Sequence, residues 1–259
     1  MDVKRASVVG VSVPGIYRAK SGTVWAPNIP GWDDFPLVDA LRDALGDATR
    51  VAVDSDRAAY IAGESWRGAA RDARNAIYMV VGTGIGAGIL VEGTVLRGTG
   101  DVGGAIGWLG LQRPYDERWN GYGCFEYQAS GPGLVRMARH FMSESPQYEG
   151  TLRARGDALD TATVFEACER GDVIAARVVD NAIELWGMAC ANLVSLFNPE
   201  IIVLGGGVFG PATKYIGRIA AEAKRWAQPI AIGQVKFVPG ELAGDAPLYG
   251  AARLANGIP

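Results

Sequence analysis

Between residues 76 and 96 two apolar runs flank the stretch Gly82-Thr83-Gly84-Ile85-Gly86-Ala87-Gly88, and these glycines restrict the fold more than any other segment does. The first run, Ala-Ile-Tyr-Met-Val-Val, is short, apolar and ended by glycine, which suits a buried strand. Glycines at every second position leave backbone N–H groups bare, so an anion can approach them closely. The Thr83 hydroxyl adds a donor. A second strand is expected over 89–96, turning at Glu92-Gly93. A dinucleotide-binding fingerprint needs a helix after its glycines and the spacing G-x-G-x-x-G, and neither is present. No Gly-Lys-Ser/Thr occurs, which excludes a Walker loop. The stretch reads as a glycine-rich hairpin gripping nucleotide phosphates. A glycine-laden hairpin without a ligand fits the same residues.

Further strands are expected over 6–13, 50–53, 201–204 and 235–238, with a strand fragment in 22–30 that runs into a proline-bounded loop. Helices are expected over 36–45, from 57 onward, and over 133–143, 162–169, 172–197, 215–227 and 247–255. The segment 97–126, rich in glycine and tryptophan, reads as an ordered loop. Strands alternate with helices, so the class is α/β. No internal repeat and no long linker interrupts the pattern.

The chain has 259 residues, about half of them apolar, and a net charge of −3. That length permits one large domain or two lobes, and the charge does not favour a nucleic-acid surface. No apolar run approaches the roughly 20 residues that span a bilayer. The apolar stretch at the N-terminus is broken by Pro14-Gly15 and does not form a signal helix. A cytoplasmic location is the resulting expectation, with neither membrane nor nucleic acid as a partner. Cys124, Cys168 and Cys190 are odd in number and widely spaced, as in reduced thiols. The single histidine, His140, sits in an amphipathic helix and is expected at the surface without a role.

Asp54-Ser55-Asp56 falls at a strand-to-helix junction. Serine and aspartate are ordinary helix N-caps there. The same position, by favouring the charged form, is expected to keep Asp56 ionised and able to accept a hydroxyl proton. Residues 198–208, Asn-Pro-Glu-Ile-Ile-Val-Leu-Gly-Gly-Gly-Val, form an apolar strand ending in Gly205-Gly206-Gly207. Ligands of α/β proteins bind outside such strand ends. A tight turn with no ligand is the alternative.

These pieces occur in an order that resembles the ROK family, a branch of the actin-like sugar kinases. Gly10-Val11-Ser12-Val13-Pro14-Gly15 resembles its sugar-side Pro-Gly loop. Ala26-Pro27-Asn28-Ile29-Pro30-Gly31-Trp32 resembles a segment whose Asn contacts sugar. Asp54-Ser55-Asp56-Arg57-Ala58-Ala59 resembles its Asn-Asp-x-x-Ala motif. The 82–88 run is similar to its second phosphate motif and Gly123-Cys124-Phe125-Glu126 to its Gly-Cys-x-Glu. Residues 198–208 resemble its adenosine motif and 244–252 its C-terminal helix.

The resemblance implies a two-lobed, actin-like (ribonuclease H-like) α/β fold. The N-lobe, 1–75, would be incomplete and joined by the helix of 243–259, with a C-lobe over 76–242. It implies an ATP-dependent sugar kinase using Mg²⁺, with Asp56 as general base. Gly82, Thr83, Gly84 and Gly86 would hold phosphates, and Gly205, Gly206 and Gly207 the adenosine. Gly15, Asn28, Ser55, Trp108 and Glu126 would meet the sugar, and a homodimer is implied as well. A sugar-sensing member that binds ligand without transferring phosphate is the alternative.

Three departures from the family pattern stand out. The strand carrying Asp-x-Gly-Gly-Thr, the first phosphate motif, does not precede the Pro-Gly loop. The family's sugar-binding Glu is Ala105 here. Its zinc-site His is Trp108, and two of its Cys positions are Glu117 and Trp119, leaving Cys124. One thiolate cannot hold a structural zinc, which takes four ligands, so no zinc is expected. Trp108 and Trp119 are expected to pack together in its place.

Overall fold

A computed structural model of the chain describes residues 7–46 and 48–257. The chain folds into two compact units. One takes the chain up to Tyr78, Ala87–Gly104 and everything from Gly240 onward; the other takes Met79–Gly86 and Ala105–Pro239. The expected boundaries set 76–242 apart as one piece, whereas Ala87–Gly104 groups with the first unit.

In the first unit, strand β1 (Val8–Val13) pairs in parallel with β4 (Arg50–Ser55), in register from Val8 opposite Arg50 to Val13 opposite Ser55. β2 (Ile16–Arg18) and β3 (Thr23–Trp25) form an antiparallel hairpin. Val13, Val24, Ala26 and Val53 from these strands and their ends bury a small core with Leu37 and Val38 of helix α1 (Leu37–Leu45). Helix α2 (Asp56–Arg67) follows β4 directly and packs against the last helix, α10 (Ala246–Ala255).

The α2–α10 contact is made by backbone. A Cβ on Gly63 would lie 2.1 Å from the Ala246 carbonyl oxygen, and one on Gly250 would lie 2.0 Å from that of Ala59. Small residues at both positions let the two helices close to a distance no larger side chain permits. Glu64, fully buried on the same helix, accepts the N–H groups of Ala69 at 2.7 Å, Leu242 at 3.0 Å and Glu241 at 3.3 Å. A carboxylate supplied with three donors satisfies its buried oxygens, and it fastens the chain entering α10 to α2.

Strands β5 (Ala76–Val81), β6 (Ile85–Val91), β7 (Thr94–Val95), β8 (Ile201–Gly205) and β9 (Lys236–Pro239) form a sheet of order β7-β6-β5-β8-β9. β8 and β9 pair in parallel, β6 and β7 antiparallel. The second unit also holds α3 (Cys124–Ala129), α4 (Gly131–Ser143), α5 (Thr151–Arg155), α6 (Thr161–Glu169), α7 (Val173–Phe197), α8 (Ile216–Trp226) and α9 (Pro229–Ile232). α7 is apolar on most of its circumference. Its Trp186, wholly buried, donates its indole N–H to the Ala129 carbonyl at 3.1 Å. Asp172 caps the helix through the N–H groups of Ile174 and Ala175, and Asn198 ends it in the left-handed region at φ 44°.

Most expected elements are present within a few residues of their expected ends. The second strand of the glycine hairpin begins at Ile85 rather than 89, so half of the glycine run is strand. Three short helices, α3, α5 and α9, stand where loop was expected. Each is six residues or fewer, too short to display a helical period. Among the described residues no helix is long and apolar enough to cross a membrane.

Gly250→Ala should cost about 1–3 kcal/mol, the usual penalty of overpacking a close contact, read as a lower urea midpoint. Gly244→Ala is the control, since a Cβ there meets nothing within 4 Å, and it should leave the midpoint unchanged.

Candidate functional site

In the first unit, Asp56 is the first residue of α2. The N-cap is Ser55, whose hydroxyl accepts the Ala58 N–H at 3.4 Å. The Asp56 Oδ1 accepts the Arg57 N–H at 2.7 Å, and among the described residues no side chain hydrogen-bonds this carboxylate. Burial pushes the Asp56 carboxyl above its ordinary value, against the opposing pull of the Arg57 N–H and guanidinium. The expected downward shift at the helix N-terminus is therefore corrected: desolvation is the larger effect. Asp54, on the other side of Ser55, differs. Its Oδ2 is paired with the Arg97 guanidinium and its Oδ1 accepts the Ser55 N–H at 2.9 Å.

Two expected sugar-side residues have local structural explanations. Gly15, at φ 83°, makes the turn from β1 to β2, where a Cβ would lie 2.2 Å from the Trp25 carbonyl oxygen. Ser55 commits its hydroxyl to the α2 cap. Asn28 is exposed in a loop tied by Ala26 N–H to Trp32 O at 2.8 Å and Ile29 N–H to Ala26 O at 2.9 Å. Trp32 and Phe35 stack at 4.6 Å beside it in sequence.

In the second unit, Gly82, Thr83 and Gly84 form the bend between β5 and β6. The Gly82 N–H is committed to the Gly84 carbonyl at 2.9 Å, and the Ile85 N–H to Glu126 Oε2 at 2.7 Å. The N–H groups of Thr83 and Gly84 have no acceptor among the described residues. With the exposed Thr83 hydroxyl they are the donors this bend offers to an anion. Gly86 lies farther on, buried within β6.

Two further turns meet this bend. The Gly131 N–H, at the start of α4, donates to the Gly82 carbonyl at 2.8 Å. Gly206, at φ 92°, sits on the end of β5, where a Cβ would lie 2.5 Å from the Val81 carbonyl oxygen. Gly205 is buried at the end of β8, and Gly207 is exposed with open space at its Cβ position. The structure thus brings the expected phosphate bend and the expected adenosine turn side by side. Gly131 was missed in the sequence, where Gly-Pro-Gly reads only as a helix start.

Glu126 stands behind the bend on α3. A Cβ on Gly84 would lie 2.9 Å from its Oε2, and one on Gly107 would lie 3.0 Å from the same oxygen. Burial raises the proton affinity of the Glu126 carboxyl, opposed by the Ile85 N–H and by Arg136. One oxygen therefore braces the hairpin.

The paired-tryptophan expectation is overturned. Trp108 is 61% exposed, whereas Trp119 is buried and meets Tyr115 edge-on at 6.0 Å. Gln128 Nε2, 3.8 Å from the buried Cys124 Sγ, occupies the thiol's surroundings instead. Among the described residues no group of three or more His, Cys, Asp or Glu could hold a metal. The residues around Cys124 do not fit a four-ligand zinc site.

The family model described as "ROK family" matches residues 2–258. A glucokinase from Thermotoga maritima is 29% identical over 257 residues, 98% of this chain and 80% of that protein. A glucokinase from Halalkalibacterium halodurans is 33% identical over 252 residues, 96% of this chain and 76% of that protein. The crystal structure of a ROK family glucokinase from Streptomyces griseus in complex with glucose and AMPPNP superposes with a TM-score of 0.79 at 29% identity, covering 97% of this chain and 82% of that one.

The raised Asp56 carboxyl carries a stability consequence. A folded-state pKa above the unfolded value contributes stability below the unfolded pKa, and that contribution is lost as pH rises through the folded value. Asp56→Asn removes the buried charge and keeps an acceptor for the Arg57 N–H. It should therefore raise the melting temperature at pH 7, with the gain vanishing below about pH 4, the ordinary carboxylate range.

Proposed function

The chain belongs to the ROK family, and from that premise we propose that it transfers the γ-phosphoryl group of ATP to a hydroxyl of a hexose-type sugar. The observation that carries the proposal is the state of Asp56. It is a half-buried carboxylate at a helix start, with raised proton affinity and no side-chain partner among the described residues. A base whose pKa lies nearer the working pH accepts a proton more effectively than an ordinary surface carboxylate. The glucokinase relatives and the glucose–AMPPNP complex support the same reading.

Asp56 accepts the proton of the attacking sugar hydroxyl, and Asn28 offers its exposed amide to other hydroxyls. The N–H groups of Thr83 and Gly84 and the Thr83 hydroxyl bind phosphate oxygens. Gly206 and Gly207 leave an open backbone surface for the nucleoside. The Glu126 oxygen not engaged by Ile85 takes a sugar hydroxyl, and the exposed Trp108 indole offers a face to a sugar ring. Mg²⁺, if bound with ATP, would supply charge neutralisation at the phosphates. The protein's part is then mostly positioning. No structural zinc belongs to the proposal.

The sugar itself follows from contacts at hydroxyl groups, where an unmatched buried polar group is costly. Ala105 and Trp108 stand where other members present Glu and His, so the preferred sugar is expected to differ from one recognised through those groups.

The test is ADP release with Mg-ATP across hexoses and amino sugars. Turnover should depend on one sugar or a small group of them. It should fall by about 100-fold or more in Asp56→Asn, and in the parent kcat should rise with pH as Asp56 loses its proton. Equal turnover with and without sugar, or in both proteins, would remove the basis for this reading.

A further inference from the structure

Unit two contains a second cavity, of about 340 Å³, on the side of α3 and α4 that carries Tyr127, Gln128, Arg136 and His140. It does not include the glycine bend, Glu126 or the Gly205–Gly207 turn. Its volume is at the small end of the range for small-molecule pockets.

The donors facing this cavity lack acceptors. Asn181 Nδ2, on α7, is buried with no hydrogen-bond partner among the described residues. Buried amides are nearly always satisfied, so an orphan donor at a cavity wall asks for a missing acceptor. Arg136 donates its Nε–H to the Tyr127 carbonyl at 2.9 Å, and its guanidinium is held between the rings of Tyr122 at 4.6 Å and Tyr127 at 4.7 Å. Its terminal N–H groups have no acceptor among the described residues, and Arg113 at the rim has none either. Nearby carboxylates are already engaged. Asp116 is gripped by Arg118, with Oδ2 2.8 Å from Nε, and Glu144 is paired with Arg177 at 2.9 Å and with His140 at 3.3 Å. The cavity therefore carries surplus positive charge and surplus donors.

The walls narrow the ligand further. Trp119, Tyr127 and Phe141 present aromatic surface, while Gln112 and Gln128 add amides. Aromatic faces with interspersed amides suit a ring bearing hydroxyl groups. An arginine fork with free terminal N–H groups suits a phosphate.

We propose that this cavity binds a phosphorylated polyol of monosaccharide size, with the phosphate on Arg136 and Arg113, a ring oxygen or hydroxyl on Asn181 Nδ2, and the ring against Trp119. It is a second site, separate from the groups proposed for phosphoryl transfer.

The test is calorimetric titration of the full chain, without ATP, using glucose-6-phosphate, glucose and inorganic phosphate as probes. Turnover plays no part in the readout, so the result stands apart from the kinase reading. The expected result is saturable binding of the phosphosugar, weakened about tenfold or more in Asn181→Leu and in Arg136→Gln and unchanged in Arg71→Gln, at an exposed residue outside the cavity. Asn181→Leu should also raise the melting temperature, because it removes an unpaired buried donor. A purely structural asparagine would show the reverse. Binding that persists unchanged in both cavity variants would place the phosphosugar elsewhere and overturn the proposal. So would inorganic phosphate binding as tightly as the sugar phosphate, the mark of an adventitious ion only, or no binding at all.

Discussion

Gly63 and Gly250 let the backbones of α2 and α10 touch, and the packing of the first unit is built around that approach. α2 follows β4 directly, and its first residue, Asp56, is half-buried. The same helix carries a fully buried carboxylate, Glu64. Three backbone N–H groups satisfy Glu64, and it serves as a fastener. Asp56 accepts the Arg57 N–H, and among the described residues no side chain donates to it. Two acids on one helix thus differ in how many donors the fold supplies.

The second unit distributes its backbone donors in the same way. The Gly82 N–H goes to Gly84, the Ile85 N–H to Glu126, and the Gly131 N–H to the Gly82 carbonyl. These bonds fix the bend while leaving the Thr83 and Gly84 N–H groups open. Gly206 lies against the end of β5 because no Cβ intervenes. Rigid surroundings with a few open donors are what a phosphate-binding turn needs, since nothing must reorganise when the anion arrives.

Much of this was legible in the sequence. The strand ends near Val81 and Leu204, the glycine turns and the helix start near Arg57 follow from apolar runs punctuated by glycine, serine and aspartate, and the structure places those ends within one residue. What escaped depends on tertiary placement. The direction of the Asp56 shift turns on burial, and position at a helix start gave the wrong sign. The fates of Trp108 and Trp119 could not be read from their types, because the loop from Gly104 to Gly123 turns one indole outward and the other inward. Gly131 joins the bend only through a bond across about 50 residues. The orphan amide of Asn181 has no signature within a long apolar helix.

The most direct measurement follows the phosphoryl group itself. The protein is incubated with ATP labelled in its γ-phosphate and with a sugar that stimulates ADP release, and the products are separated. The predicted result is label on the sugar in proportion to ADP formed, with neither product appearing in Asp56→Asn. Label recovered as free phosphate, or sugar left unlabelled while ADP accumulates, would contradict Asp56-dependent transfer to a sugar hydroxyl.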